Sequence, residues 1–513
     1  MTVQKLNELS TVRSERISGF KFIPTEYKGM NDCPPADEGW SNLNFGDMLD
    51  GVDNHFWIYK KLKTPKRHNN NERLFLTMDF PYGAQYLLYL DGKVIQDFDF
   101  FHKEAELEFD REYDLHLYLY TNTEDCGNKT GKTIFNPILK VMDSRIVDLY
   151  YDMSVPFETL ALLKENDDNG VITQKYLEIA CNILDLRVPY SEEFYKSVEE
   201  ATEYLKKEYY GKECGKSDIT VGCIGHSHID VAWRWTLEQT EEKVQRTFSN
   251  MLRLMDEYDE FVFTASQIPL FKYAKKYTPE LFERLQKKVK EGQFDPEGAM
   301  YVEADCNLSS GESLIRQVMF GKKFYKEEFD VDSRVLWLPD VFGYSSALPQ
   351  ILKKSGVDKF VTSKISWNES NKLPYDVFMW EGLDGTEIFT AFITAQEYNP
   401  DKPQIETTYV GQLKPSQVMG ARDRFQQKEY SKNGGFMSFG WGDGGGGTTR
   451  EMLENYRRME KGLPGMPKTK IRKVSEYLNI LEKDFVEASK ELREMPKWVG
   501  ELYLEFHRGT YTS

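Results

Sequence analysis

A short apolar run, Ile219-Thr220-Val221-Gly222-Cys223-Ile224, opens directly into Gly225-His226-Ser227-His228-Ile229-Asp230. A run of this length and composition reads as a buried strand. Side chains alternate between faces along a strand, so His226, His228 and Asp230 are expected to project the same way. Two imidazoles and a carboxylate at a strand end form a mixed nitrogen and oxygen donor set, which suits Zn²⁺ or a similar divalent ion. A lone histidine there would more often be a core or capping residue. Three donors at i, i+2 and i+4, with Trp233 and Trp235 just beyond, point instead to a metal site.

The segments that follow share this strand's rhythm. Val244, Phe248, Met251, Leu252 and Met255 mark one helix face. Phe261-Val262-Phe263-Thr264 reads as a strand, and residues 281–290 as a helix. Leu314, Val318 and Phe324 mark another helix, before strands at Arg334-Val335-Leu336-Trp337-Leu338, Lys359-Phe360-Val361-Thr362 and Glu387-Ile388-Phe389-Thr390-Ala391-Phe392. Repeated βα units imply a parallel sheet, open or closed into a barrel, with ligands beyond the carboxyl ends of its strands.

The first 150 residues differ. Phe56 to Lys60, Arg73 to Met78, Gln85 to Leu90 and Asp114 to Tyr120 are strand-like, and Asp91-Gly92 supplies a hairpin turn. Residues 1–150 are therefore expected to form an antiparallel β-sandwich domain, residues 151–215 a helical connector interrupted at Pro189, and residues 216–513 the α/β domain. At 513 residues, more than one domain is expected.

Composition narrows the partners. Lys and Arg total 66 against 83 Asp and Glu, so 66 − 83 gives a net charge of −17. Such a chain repels phosphate backbones and anionic lipid, which argues against nucleic acid and membrane surfaces. No secretory signal and no apolar stretch of spanning length is read, and the six cysteines form no Cys-x-x-Cys pair. A cytoplasmic location with free thiols is expected, and a homo-oligomer is compatible with the sequence.

Two further segments carry chemistry. Asp340 leaves the Arg334 strand through Leu338-Pro339-Asp340-Val341-Phe342-Gly343-Tyr344-Ser345, and Asp443 lies in the glycine-rich Phe439-Gly440-Trp441-Gly442-Asp443-Gly444-Gly445-Gly446-Gly447. Two separated carboxylates beside aromatic rings suit glycoside hydrolysis. A metal in the same pocket could equally activate water for hydrolysis of an ester, amide or phosphate, and spacing alone leaves both open.

The strings Gly225 to Trp233, Trp337 to Ser345, Thr362 to Glu381, Gly440 to Asp443 and Glu505 to Ser513 resemble the α-mannosidases of glycoside hydrolase family 38, closest to their cytosolic and bacterial branch. The N-terminal β region also resembles the extra domain of that branch. The resemblance implies a (β/α)7 barrel and a retaining mechanism with Zn²⁺ or another divalent metal. Mannose-containing oligosaccharides would be the substrate. By position it makes His228 and Asp230 metal ligands, and Asp340 both ligand and nucleophile. Asp443 becomes the acid/base candidate, and Trp233, Tyr344 and His507 substrate contacts. His226, which precedes the usual ligand pair, is assigned a structural role.

One departure stands out. Relatives continue into a helical segment whose Asn-x-x-His-Asp motif supplies a fourth metal ligand, and that motif is not found here. The chain is thus expected to be an N-terminal portion of such a protein. Two alternatives follow: a non-catalytic sugar-binding protein of mannosidase fold, and a metal-dependent carbohydrate deacetylase.

Overall fold

The computed structural model describes residues 2–26, 33–34, 39–49, 51, 53–79, 84–121, 132–368, 371–399, 401 and 406–503. His507 lies outside them. The chain divides into two compact units, one of Met1–Phe157, Thr173–Lys212 and Gln245–Arg253, the other of Glu158–Ile172, Glu213–Val244 and Leu254–Ser513.

The first unit holds two large antiparallel sheets and a two-stranded one, Met48–Leu49 with Thr133–Ile134. A four-stranded sheet runs Thr11–Arg16, Ile138–Asp143, Glu72–Thr77, Glu104–Leu107. A six-stranded sheet runs Ser41–Leu43, Phe20–Thr25, Asn54–Lys63, Glu112–Thr121, Ala84–Leu90, Lys93–Phe98. Period-two alternation sends Phe56, Ile58, Leu115, Leu117 and Leu119 to one face, where they join Leu74, Leu76, Leu139 and Val141 of the other sheet in one core. Asp91 and Gly92 both have positive φ (52° and 78°), as a two-residue primed turn requires.

Helix begins earlier than expected from sequence. Ser144–Leu160 follows directly on the Ile138–Asp143 strand, because the Asp143 carboxylate accepts from the Arg145 backbone N–H at 3.0 Å and holds the first turn. Pro156 sits inside this helix. Asp168–Ile183 and Glu192–Tyr204 follow, with Pro189 between them. The polar start of the chain also forms a helix, Thr2–Ser10, by burying Leu6 and Leu9. No helix among the described residues is long and apolar enough to cross a membrane. Cys33, Cys181, Cys214, Cys223 and Cys306 are free thiols.

In the second unit the Thr220–His226 strand pairs in parallel with Phe263–Ala265 on one side and Gly435–Phe439 on the other. Phe263–Ala265 pairs with Phe294–Pro296, and Lys359–Thr362 pairs with both Val335–Trp337 and Glu387–Phe392, all in parallel. A parallel bridge from Gly298 to Leu336 joins the two groups, and Thr394 N–H donates to the Phe436 carbonyl at 2.8 Å. These links return the circuit to its starting strand. Helices alternate with the strands. Thr236 and Gln239 form a reciprocal capping box at the start of Leu237–Glu257. That helix runs through both units, Gln245–Arg253 belonging to the first, and Val244, Phe248, Met251, Leu252 and Met255 on it are buried.

Two carboxyls from the Phe294–Pro296 region are fully enclosed. Asp295 accepts from Thr264 Oγ1 and from the Val474 N–H at the start of the last helix. Glu297 accepts from the Gly298 and Val335 N–H groups and from Ser333 Oγ. Burial, then the neighbouring Asp295, push Glu297 up to about 8 from an ordinary value of 4.5. An acid raised in the folded state makes stability fall as pH rises between its unfolded and folded values, because the unfolded chain gives up its proton first. Glu297→Gln keeps an acceptor and cannot ionise. Thermal melts between pH 5 and 8 are expected to be flatter for this variant, with a higher Tm at pH 8. Parallel curves for the two proteins would overturn the assignment.

Candidate metal and catalytic centre

The strand that opens the second unit ends at His226, and the convergence expected of its three donors stops there too. His226 is buried. Its Nδ1–H donates to the Thr264 carbonyl at 2.9 Å, and its Nε2 accepts from Trp337 Nε1–H at 3.2 Å. Burial pushes its pKa down to about 3, so the ring is neutral and fully used inside the sheet. Beyond His226 the backbone leaves the ladder, and strand alternation no longer dictates where side chains point.

His228 and Asp230 come together. His228 Nε2 lies 3.3 Å from Asp230 Oδ1 and 3.3 Å from Asp340 Oδ2. One donor atom each from His228, Asp230, Asp340 and Asp443 lies within 4.8 Å of all the others. Ligand bonds of about 2.0–2.2 Å in a tetrahedral shell place neighbouring donors about 3.3–3.6 Å apart, so the two 3.3 Å spacings fit adjacent ligands of one ion. The opposite ring atom, His228 Nδ1, faces Glu303 Oε1 at 3.3 Å. A carboxylate behind a ligating imidazole fixes its tautomer and raises its basicity. The site is rich in negative charge. Burial disfavours the imidazolium, but Glu303, Asp230 and Asp340 outweigh it and hold His228 well above the ordinary histidine range. Without a cation these carboxylates draw a proton onto the ring, and a divalent cation answers the same field. The residues present therefore fit such an ion.

The glycine-rich loop is placed by backbone contacts. Asp230 N–H donates to the Asp443 carbonyl at 2.8 Å, Gly445 N–H to the His228 carbonyl at 3.2 Å, and Ser227 Oγ to the Trp441 carbonyl at 2.8 Å. Ile229 and Gly444 form an antiparallel bridge. A Cβ on Gly440, whose φ is +132°, would stand 2.0 Å from the His226 carbonyl oxygen, so only glycine permits this approach. Asp443 is thereby held alongside Asp230.

Asp340 projects from the turn after Val335–Trp337. Burial favours its neutral form, but His228 and Lys364 hold the carboxyl below its ordinary range. Tyr344 does not reach the site as expected. It is fully buried, its hydroxyl donating to the Val341 carbonyl at 2.7 Å and lying 2.6 Å from Thr362 Oγ1. A phenol pinned under the Asp340 turn supports that turn and is shut off from a ligand. Trp233 is open: 47% of it is exposed, with its ring edge-on to Trp235 at 5.6 Å. Trp235 in turn donates from Nε1 to the Asp230 carbonyl at 3.1 Å.

Three residues of the centre carry no local sequence signal, and a fourth, Lys364, lies inside the Thr362 to Glu381 string without being singled out there. Glu303 backs His228. Gln267, held at a φ of +69°, donates to the Ile229 carbonyl and accepts from the Glu303 N–H, tying the two segments together. Tyr409 donates to Asp443 Oδ1 at 2.6 Å and stands beside Asp340, with its ring edge-on to His228 at 5.2 Å. Burial and those two carboxylates push its phenol far up, so it stays a donor. Lys364 Nζ lies 2.8 Å from Asp340 Oδ1. Glu303, Gln267 and Tyr409 are isolated loop residues and Lys364 opens the short 3-10 helix Lys364–Ser366, and only the closed structure assembles them.

The profile described as "Glycosyl hydrolases family 38 N-terminal domain" matches residues 218–501, which include all the described residues of this centre. The chain is 38% identical over 371 residues to "Alpha-mannosidase G" of Dictyostelium discoideum, covering 72% of this chain and 31% of that protein. It is 38% identical to the "Alpha-mannosidase" of Saccharomyces cerevisiae over 62% of this chain and 29% of that protein. It is 36% identical to "Alpha-mannosidase 2C1" of Mus musculus over 61% and 28% respectively. The chain thus spans about a third of the length of the relatives it matches. With that match across the segments that build the centre, the chain belongs to glycosyl hydrolases family 38.

Proposed function

We propose that this chain carries the active site of a retaining α-mannosidase acting on mannose-containing oligosaccharides, and that its circuit of strands is a (β/α)7 barrel. One observation carries the reading: Asp340 and Asp443 present carboxylate oxygens within 4.8 Å of each other, beside His228 and Asp230. Retaining glycosidases hold their two carboxyls about 5–5.5 Å apart, whereas inverting ones leave about 6.5–9.5 Å for a water.

His228, Asp230 and Asp340 would hold a divalent cation such as Zn²⁺. When bound, it supplies Lewis-acid coordination of the sugar's 2- and 3-hydroxyls. The chain's own groups do the rest. Trp233 offers an exposed ring on which a sugar face can stack. Asp340 attacks the anomeric carbon while protonated Asp443 gives its proton to the departing oxygen. Tyr409 holds Asp443 Oδ1, which leaves Oδ2 for that proton. In the second step Asp443 takes a proton from water, whose oxygen displaces Asp340 with net retention.

Release of 4-nitrophenol from its α-mannoside tests this directly. A chelator is expected to lower kcat/KM by about 100-fold or more, with recovery on adding back Zn²⁺ or another divalent salt. Sugar binding without release would make the chain a non-catalytic binder. Acetate release from N-acetylated glycans, with no aglycone release, would favour a deacetylase.

A further inference from the structure

Lys364 is among the few enclosed cations of the second unit: its side chain is 8% exposed. Its Nζ lies 2.8 Å from Asp340 Oδ1, while Asp340 Oδ2 is turned to His228. Three rings surround it, with centroids at 3.4 Å (Trp367), 5.0 Å (Tyr409) and 5.5 Å (Phe342). Aromatic faces attract a cation and replace part of the water it has lost. The ammonium is therefore fixed before any substrate arrives, at no reorganisation cost when charge changes beside it.

We infer that Lys364 is a positioning residue that speeds the departure of Asp340 from the sugar, an inference that rests on Asp340 being the nucleophile. In the first step, the bond from the Asp340 carboxylate to the anomeric carbon forms as the bond to the leaving oxygen breaks, and Asp443 protonates that oxygen. Asp340 becomes a neutral ester, and Lys364 loses its anionic partner. In the second step water adds to the anomeric carbon and passes its proton to Asp443. The ester bond breaks, and its electron pair returns to Asp340 as a carboxylate. A cation held at 2.8 Å stabilises this returning charge. Lys364 opposes the first step, which consumes the carboxylate, and favours the second, which regenerates it.

That asymmetry gives a signature that general damage to the fold would not produce. Lys364→Met keeps the length of the side chain among the rings and removes the charge. With 2,4-dinitrophenyl α-mannoside and added divalent salt, kcat is expected to fall by about 100-fold, the size of one lost preorganised donor. KM should fall at least as far, so that kcat/KM, which reports the first step alone, holds or rises. Intact-protein mass spectrometry during turnover should show a mannosyl adduct on the variant and none on wild type. Lys364→Arg should return kcat to within about 10-fold of wild type without an adduct. If Lys364→Met is insoluble, Lys364→Gln is judged by the same criteria. Equal losses in kcat and kcat/KM without an adduct, or an unchanged kcat, overturn the lysine's role alone. A wild-type chain that releases no dinitrophenol overturns the mannosidase reading, and this inference with it.

Discussion

Asp340→Ala is expected to lower turnover of an α-mannoside by about 10⁴-fold or more, because one side chain has two tasks in the proposed mechanism. It supplies the oxygen that attacks the sugar, and it is one of the donors around His228 Nε2. Its loss removes the covalent route and one ligand together, so metal content measured by elemental mass spectrometry should fall in parallel. It also strands the enclosed Lys364 without its anion. Breaking a buried ion pair from one side costs about 3–5 kcal/mol, so the variant should melt several degrees below wild type. Asp340→Asn keeps an oxygen near Lys364 and should recover part of the Tm but none of the turnover. A variant that retained a tenth of wild-type kcat would remove Asp340 from the role of nucleophile.

Asp443→Ala should give a different profile. General-acid assistance matters in proportion to the basicity of the leaving group. Release of a sugar or methanol is therefore expected to fall by about 10²–10⁴-fold, and release of 2,4-dinitrophenol much less. Azide separates the two carboxylates further. In Asp443→Ala it can attack the sugar already held on Asp340, giving the α-mannosyl azide after two inversions. In Asp340→Ala it can only displace the aglycone directly, giving the β-azide. Proton NMR of the products distinguishes these outcomes. A β-azide from Asp443→Ala would exchange the assignments, and equal losses for all leaving groups would make Asp443 a structural or ligating residue.

Residues whose role is written in their immediate neighbours were legible before folding. Leu115, Leu117 and Leu119 announce a half-buried strand by alternation, and Asp91-Gly92 announces its turn. The Lys359–Thr362 and Glu387–Phe392 strands stand as read. Strands such as Phe263–Ala265, Phe294–Pro296 and Val335–Trp337 have three residues each, too few for a period to show at both ends. Phe294–Pro296 went unread entirely. The centre divides in the same way. His228, Asp230, Asp340 and Asp443 sit in unusual strings and could be named. Glu303, Gln267 and Tyr409 look locally like any loop residue, Lys364 goes unmarked inside the Thr362 to Glu381 string, and all four acquire a task only through partners distant in sequence. Tyr344 failed in the opposite sense, and His226, one of three donors by alternation alone, has the structural role that the resemblance implied. Both sit in the right strings, yet their polar atoms are used up beneath a turn and inside the sheet.

The contacts between the glycine loop and residues 227–230 bear on how such a site can change. There are three hydrogen bonds: two link main chain to main chain and together make the Ile229–Gly444 bridge, and the third ends on the Trp441 carbonyl. On the proposed mechanism, the gap between Asp340 and Asp443 that decides the stereochemistry of the product is therefore governed by loop length. Side-chain replacements at Trp441 or Ile229 leave that ladder in place, whereas one inserted or deleted residue between Gly440 and Gly445 shifts its register and moves Asp443. Evolution can thus vary the walls of this pocket freely while the anomeric outcome stays locked, and the shortest path to an inverting relative runs through an indel.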